Sequence, residues 1–144
     1  LDAELGPDLV DLGVEMIEQP LPAANDAALG GIDSAVPLCA DESCHVDDDL
    51  PRLRGLYQMV NVKLDKSGGL TAGLSLARAA ADAGFGVMVG CMIGTSLAMA
   101  PATLLTGFAT VIDLDGPLLL AEDREDGLDY TGGRVHPPSA VLWG

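Results

Sequence analysis

The chain has 144 residues, 49% of them hydrophobic but only 3% aromatic, which is enough for one domain with its own core. With two Phe, two Tyr and Trp143, that core must be built from Val, Ile, Leu, Met and Ala, a composition that suits strands covered by helices better than an aromatic-rich sandwich. A formal net charge of −15 argues against nucleic acid and against anionic membrane as partners, and is compatible with an enzyme that holds a cation.

Cys39, Cys44 and Cys91 form an odd set without CxxC spacing. A disulfide scaffold is therefore not expected, and a reducing, cytoplasmic compartment is. No run of about 18 residues is apolar and free of Gly, Pro and charge, so no membrane span is predicted. The chain opens on Leu1 within a helix-like stretch, so further sequence is expected upstream.

From there one unit recurs: a short apolar run ends in polar or acidic residues, and a helical stretch follows. Val14–Ile17 leads to Glu18-Gln19-Pro20, Val36–Ala40 to Asp41-Glu42-Ser43, and Met59–Val62 to Lys63-Leu64-Asp65-Lys66. Gly86–Val89 leads to Gly90-Cys91-Met92, and Thr110–Ile112 to Asp113-Leu114-Asp115. The runs recur about every 22–27 residues, the length of a strand plus a crossover helix. The clearest helix spans Leu70 to Ala83, Ala-rich and closed by Gly84. Alternating strands and helices predict a parallel sheet with its chemistry at the C-terminal ends of the strands, in a barrel or in an open doubly wound sheet. After Asp115 the pattern breaks: 127–133 reads as turn-rich, Pro137-Pro138 excludes a helix, and 127–144 is taken as an extended tail of a single domain, 1–144.

The strand ends carry the candidate chemistry. Glu18 and Asp41 end consecutive strands, so they share one rim, roughly 5–10 Å apart. Converging carboxylates suit a hard cation, although acids at strand ends also cap helices. Lys63 ends the next strand, where a nearby divalent cation would lower its pKa toward that of a general base. Lys66, before Ser67-Gly68-Gly69, reads as part of a turn. Asp113 and Asp115 are two apart, which on a strand puts both on one face, where a pair of anions suits an ammonium; an ordinary acidic loop is the alternative. Cys39, Cys44 and His45 lack a fourth ligand for zinc.

The segments IEQPLP (17–22), CADES (39–43), NVKLDKSGGL (61–70), VGCMIGTS (89–96) and DLDGP (113–117), in this order over nearly the whole chain, resemble the enolase superfamily. Within it they are most similar to the muconate-lactonising-like subgroup and its dipeptide epimerases of the L-Ala-D/L-Glu type. The resemblance implies the C-terminal part, about five βα units, of an α/β TIM barrel of the modified (β/α)7β kind. It implies Mg²⁺ as cofactor, with Glu18 and Asp41 as two of three ligands, Lys63 as acid/base, and Asp113 and Asp115 as the pair that binds a dipeptide's α-ammonium. Glu42 would lie behind the ligands. The third ligand, the second catalytic lysine and the capping domain have no counterpart in this chain, so activity is expected of the intact parent rather than of this portion. A small-molecule dipeptide, a role in murein peptide recycling and a homo-oligomer are implied as well. The competing expectations are another racemase, cycloisomerase or o-succinylbenzoate synthase of the subgroup, or a truncated barrel without catalysis.

Overall fold

A computed structural model describes residues 5–143. Helix α1 (Leu5–Asp11) leads into strand β1 (Ile17–Glu18), and a 3₁₀ turn at Ala23–Leu29 returns to β2 (Leu38–Ala40). Then come α2 (Leu50–Leu53), β3 (Met59–Val62), the single-turn α3 (Leu64–Ser67), α4 (Leu70–Asp82) and β4 (Gly86–Val89). Helix α5 (Ser96–Met99) and a 3₁₀ stretch at Pro101–Phe108 precede β5 (Val111–Ile112).

Each of these five strands pairs in parallel with the next, in the order β1-β2-β3-β4-β5. A doubly wound sheet reverses its order at a switch point. This one never reverses: its five strands curl into part of a (β/α) barrel.

Alternation along the strands sorts the core. Leu38 and Ala40, Val60 and Val62, and Val87 and Val89 pack outward under the helices with Leu76, Ala77, Ala80 and Leu105. Cys39, Met59 and Met88 face the other way and form a separate inner cluster. Helix α4 forms because Ala and Leu dominate its length, and Gly73, Leu76, Ala77 and Ala80 give it a buried stripe at helical spacing. At Gly73 a Cβ would lie 2.4 Å from the Leu64 side chain, so glycine lets α4 approach α3. Gly84, at φ 85°, ends the helix and lets the Phe85 N–H reach the Ala80 carbonyl. Burial of Leu76 alone is worth about 1.5–3 kcal/mol.

Three strands are shorter than the runs that predict them. β1 begins at Ile17 rather than Val14, β2 at Leu38 rather than Val36, and β5 at Val111 rather than Thr110. At β2 the cause is local: the Val36 N–H turns to the Ser34 hydroxyl and Pro37 has no N–H to offer. Beyond Asp115 a short antiparallel hairpin forms from β6 (Tyr130–Thr131) and β7 (Arg134–Val135). Gly132 and Gly133 supply positive φ values of 62° and 73° at its turn. Among the described residues no helix is long and apolar enough to cross a membrane.

Candidate active site

Glu18 is the last residue of β1, Asp41 follows β2, and Lys63 follows β3 in extended conformation as the N-cap of α3. Parallel pairing in register therefore brings all three to one rim. The Lys63 ammonium lies 2.7 Å from Asp41 Oδ2 and 3.8 Å from Glu18 Oε1, so both carboxylates converge on one positive centre. The Asp41 side chain is only 13% exposed.

Lys66, expected in a turn, lies in helix α3. One helical turn on from Lys63, it directs its ammonium at Asp41 Oδ1 and at the carbonyls of Asp41, Asn61 and Cys44. The i,i+3 spacing of the two lysines, once Leu64–Ser67 is known to be helical, was the available signal.

The electrostatics follow from this packing. Burial alone would raise the Asp41 carboxyl, but bonds from Lys63 and Lys66 hold it below its ordinary value. Burial would lower Lys63, yet its bond to Asp41 and the charges of Asp41 and Glu18 hold it above its ordinary value. In this pairing the two carboxylates stabilise the Lys63 ammonium.

Asn61 was also missed. Fully buried on the inner face of β3, it donates to Glu18 Oε1 at 2.6 Å, while its Oδ1 has no partner among the described residues. It fits because position 90 is glycine: a Cβ there would lie 2.4 Å from Asn61 Oδ1.

Asp113 and Asp115 reach the rim by a different route from the one the spacing implied. β5 stops at Ile112, and only the Asp113 N–H extends the ladder, to Val89 O at 2.9 Å. Asp115 has helical dihedrals, φ −83° and ψ −2°, and starts the 3₁₀ turn Gly116–Leu119. Both side chains are exposed and flank buried Leu114. They still meet: partial burial, then the charge and hydrogen bond of Asp115, raise the Asp113 carboxyl. A cavity of about 310 Å³ opens beside them, lined also by Leu118, Tyr130 and Arg134.

Among the described residues no three His, Cys, Asp or Glu side chains gather as a metal cluster. The pair that does converge, Glu18 and Asp41, offers hard oxygen donors around a point where Lys63 already places a cation, so its chemistry fits Mg²⁺. The thiols do not fit a softer metal: burial pushes Cys39 up to about 12 and Cys44 to about 11, and His45 is exposed. Glu42 is exposed beside Asp41.

Comparison with known proteins gives a consistent picture. The family model described as enolase C-terminal domain-like matches residues 2–141. An N-acetyl-D-glutamate racemase from a Pseudoalteromonas species is 56% identical over 133 residues, 92% of this chain and 42% of that protein. An L-Ala-D/L-Glu epimerase from Escherichia coli K12 is 52% identical over 128 residues, 89% of this chain and 40% of the relative. The chain thus spans about two fifths of the length of these curated relatives. A crystal structure of an enolase family member from Agrobacterium tumefaciens with homology to dipeptide epimerases, with bound sodium and L-Ala-L-Glu, superposes with a TM-score of 0.95 at 50% identity, covering 99% of this chain and 44% of that one. A dipeptide epimerase from Cytophaga hutchinsonii complexed with Mg and D-Ala-L-Val gives a TM-score of 0.82 at 28% identity, covering 92% and 38%. With its motifs in order, its strands wound in barrel sequence and residues 2–141 matched, this chain belongs to the enolase C-terminal domain-like family.

Proposed function

We propose that the complete protein carrying this chain is a Mg²⁺-dependent isomerase that inverts the α-carbon of a dipeptide of the L-Ala-D/L-Glu type. The observation that carries the reading is the convergence of Glu18 and Asp41 on the Lys63 ammonium at 3.8 and 2.7 Å. Two carboxylates and a lysine at one point are what abstraction of a proton beside a carboxylate needs.

Glu18 and Asp41 would hold the metal, with Lys66 and Asn61 keeping their carboxylates in place. A bound Mg²⁺ supplies stabilisation of the charge that builds on the substrate carboxylate as the α-proton leaves. Lys63 exchanges that proton. It can accept one only as the neutral amine, and in this fold its pKa is raised by the same two acids. The base form would be favoured if Asp41 and Glu18 were engaged with a cation instead. Asp113 and Asp115 carry unbalanced negative charge beside the cavity and would take the substrate's ammonium. A cytoplasmic place in recycling cell-wall peptides, and assembly into a homo-oligomer, complete the proposal.

A second reading is favoured by one observation. The 56% identical relative is named for N-acetyl-D-glutamate, which has an acyl group where a dipeptide has an aminoacyl group. Both substrates are N-acylated glutamates, so the chemistry at Lys63 is common to the two readings and only the Asp113–Asp115 end separates them. The test is α-proton exchange in D₂O with Mg²⁺, followed by proton NMR for L-Ala-L-Glu and for N-acetylglutamate, with Lys63→Ala alongside. Exchange of the dipeptide that disappears in Lys63→Ala supports the proposal. Exchange of N-acetylglutamate alone transfers the assignment to N-acylamino acids, and exchange of both L-Ala-L-Glu and L-Ala-D-Glu that survives in Lys63→Ala removes Lys63 from the chemistry, since a second base on the opposite face would sustain exchange of one epimer only.

A further inference from the structure

Between Glu18 and Pro20 the backbone does something costly. Gln19 has φ 37°, a left-handed conformation that a residue with a Cβ avoids. Such a residue persists only where its surroundings over-determine it, and here they do. Its backbone N–H donates to the Cys39 carbonyl at 2.8 Å, continuing the β1–β2 ladder past the strand. Its side-chain oxygen accepts the backbone N–H groups of Asp41 at 2.8 Å and Ser43 at 3.2 Å. Its side-chain nitrogen lies 2.8 Å from the Leu21 carbonyl, 2.9 Å from the Ser43 hydroxyl, 2.9 Å from the Tyr57 hydroxyl and 3.4 Å from Asp26 Oδ1.

This surround permits only one orientation of the amide. Two backbone donors face one side and a carboxylate faces the other, so a flipped amide would lose its bonds on both. The network behind it is buried: Tyr57 donates to Asp26 Oδ1 at 2.7 Å, and Ser43 and Asp26 are withdrawn from solvent. Arg52 closes the far side, 3.5 Å from Asp26 Oδ2 and bonded to the Ser43 carbonyl. One side chain thus ties the residue after Glu18 to the backbone of Asp41 itself.

We propose that Gln19 is a positioning residue, whose side-chain oxygen, locked in orientation by the Asp26–Tyr57–Ser43 network, fixes the backbone of Asp41 relative to Glu18 and so sets the spacing of the two carboxylates that take the cation. The inference rests on the reading of Glu18 and Asp41 as metal ligands. Methionine at 19 keeps the volume and loses every side-chain bond. Partners that orient a metal ligand are typically worth about 10- to 100-fold in metal affinity.

The test is Mn²⁺ affinity of the complete protein, measured by paramagnetic resonance of the free ion, for wild type, Gln19→Met, Tyr57→Phe and Asp41→Asn, with near-ultraviolet circular dichroism as the check on folding. Gln19→Met is expected to bind Mn²⁺ about 10- to 100-fold more weakly, with α-proton exchange restored toward wild type when the metal is raised to saturation. Wild-type Mn²⁺ affinity in a folded Gln19→Met protein overturns the inference and leaves the ligand assignment standing. If Gln19→Met does not fold, Tyr57→Phe, which removes one hydroxyl from the network, carries the same test: a few-fold loss of affinity supports the role and no loss overturns it. Unchanged Mn²⁺ binding in Asp41→Asn instead removes the metal reading, and this inference with it.

Discussion

At the rim over β1, β2 and β3 each carboxylate faces an ammonium, whereas beyond β5 two carboxylates face each other. Glu18 and Asp41 lie against Lys63, and Asp41 also meets Lys66. Asp113 and Asp115 have no Lys, Arg or His in salt-bridge range among the described residues, and their mutual repulsion helps to raise the Asp113 carboxyl. The first arrangement is balanced internally and has a defined geometry. In the second, burial and the neighbouring charge both favour a proton on Asp113. A cluster that satisfies itself is built to be stable until its partner is exchanged. One left unpaired beside a cavity is where the proposed function places the incoming ammonium.

The difference can be broken at its balanced end first. Lys63→Ala is expected to slow α-proton exchange by about 10²- to 10⁴-fold, measured in D₂O by loss of the α-proton signal. Asp41→Asn removes the carboxylate shared by two ammonium groups, each 13% exposed, and leaves Lys63 only the more distant Glu18. Its expected cost is about 3 kcal/mol in urea unfolding, since removing one partner of a buried pair strands the other. An unfolding midpoint equal to wild type would mean that the lysines turn to solvent, and that the balance is less rigid than the distances imply.

Gly90→Ala probes how β4 supports the balanced half. The added methyl would meet Asn61 Oδ1 at 2.4 Å and push the amide off Glu18. A loss of about 1–3 kcal/mol is expected in thermal or urea unfolding. No change would show that Asn61 is free to move and does not hold Glu18.

The smallest effect belongs to the unbalanced end. Because the folded state holds a proton on Asp113 more tightly than an ordinary carboxyl does, its contribution is present in full at low pH and is lost as pH rises through the raised value. Asp113→Asn should flatten that fall in unfolding free energy, by less than about 1 kcal/mol after screening by solvent. The same variant should raise KM for L-Ala-L-Glu and leave KM for N-acetylglutamate unchanged. Equal effects on both substrates would mean that the pair does not read an ammonium.

Much of this arrangement was legible in the sequence, for a physical reason. Met59–Val62, Gly86–Val89 and α4 stand where their apolar runs and flanking glycines indicated, because strands buried on both faces and an Ala-rich amphipathic helix advertise themselves locally. Spacing of strand and crossover brought Glu18, Asp41 and Lys63 to a single edge. It did not reveal that Lys66 points back at Asp41, that Asn61 braces Glu18, or that Gln19 spans two strands. Those contacts join residues 22 to 43 positions apart and depend on helix phase and strand register. The Asp113–Asp115 pair shows the converse. Its proximity was expected from a two-residue strand period, but the strand ends at Ile112 and a 3₁₀ turn brings the two acids together instead.

By itself, then, the sequence determined the elements, their parallel arrangement and which charged residues stand at the strand ends, since these depend on hydrophobic period and chain length between strands. Tertiary structure decided the rest: the unreversed winding of a barrel over an open sheet, the neutralisation of one acidic pair and the exposure of the other, and the left-handed turn at Gln19. Each of these is settled by distances between side chains remote in the chain, where Coulomb energy and burial act through space and sequence spacing carries no information.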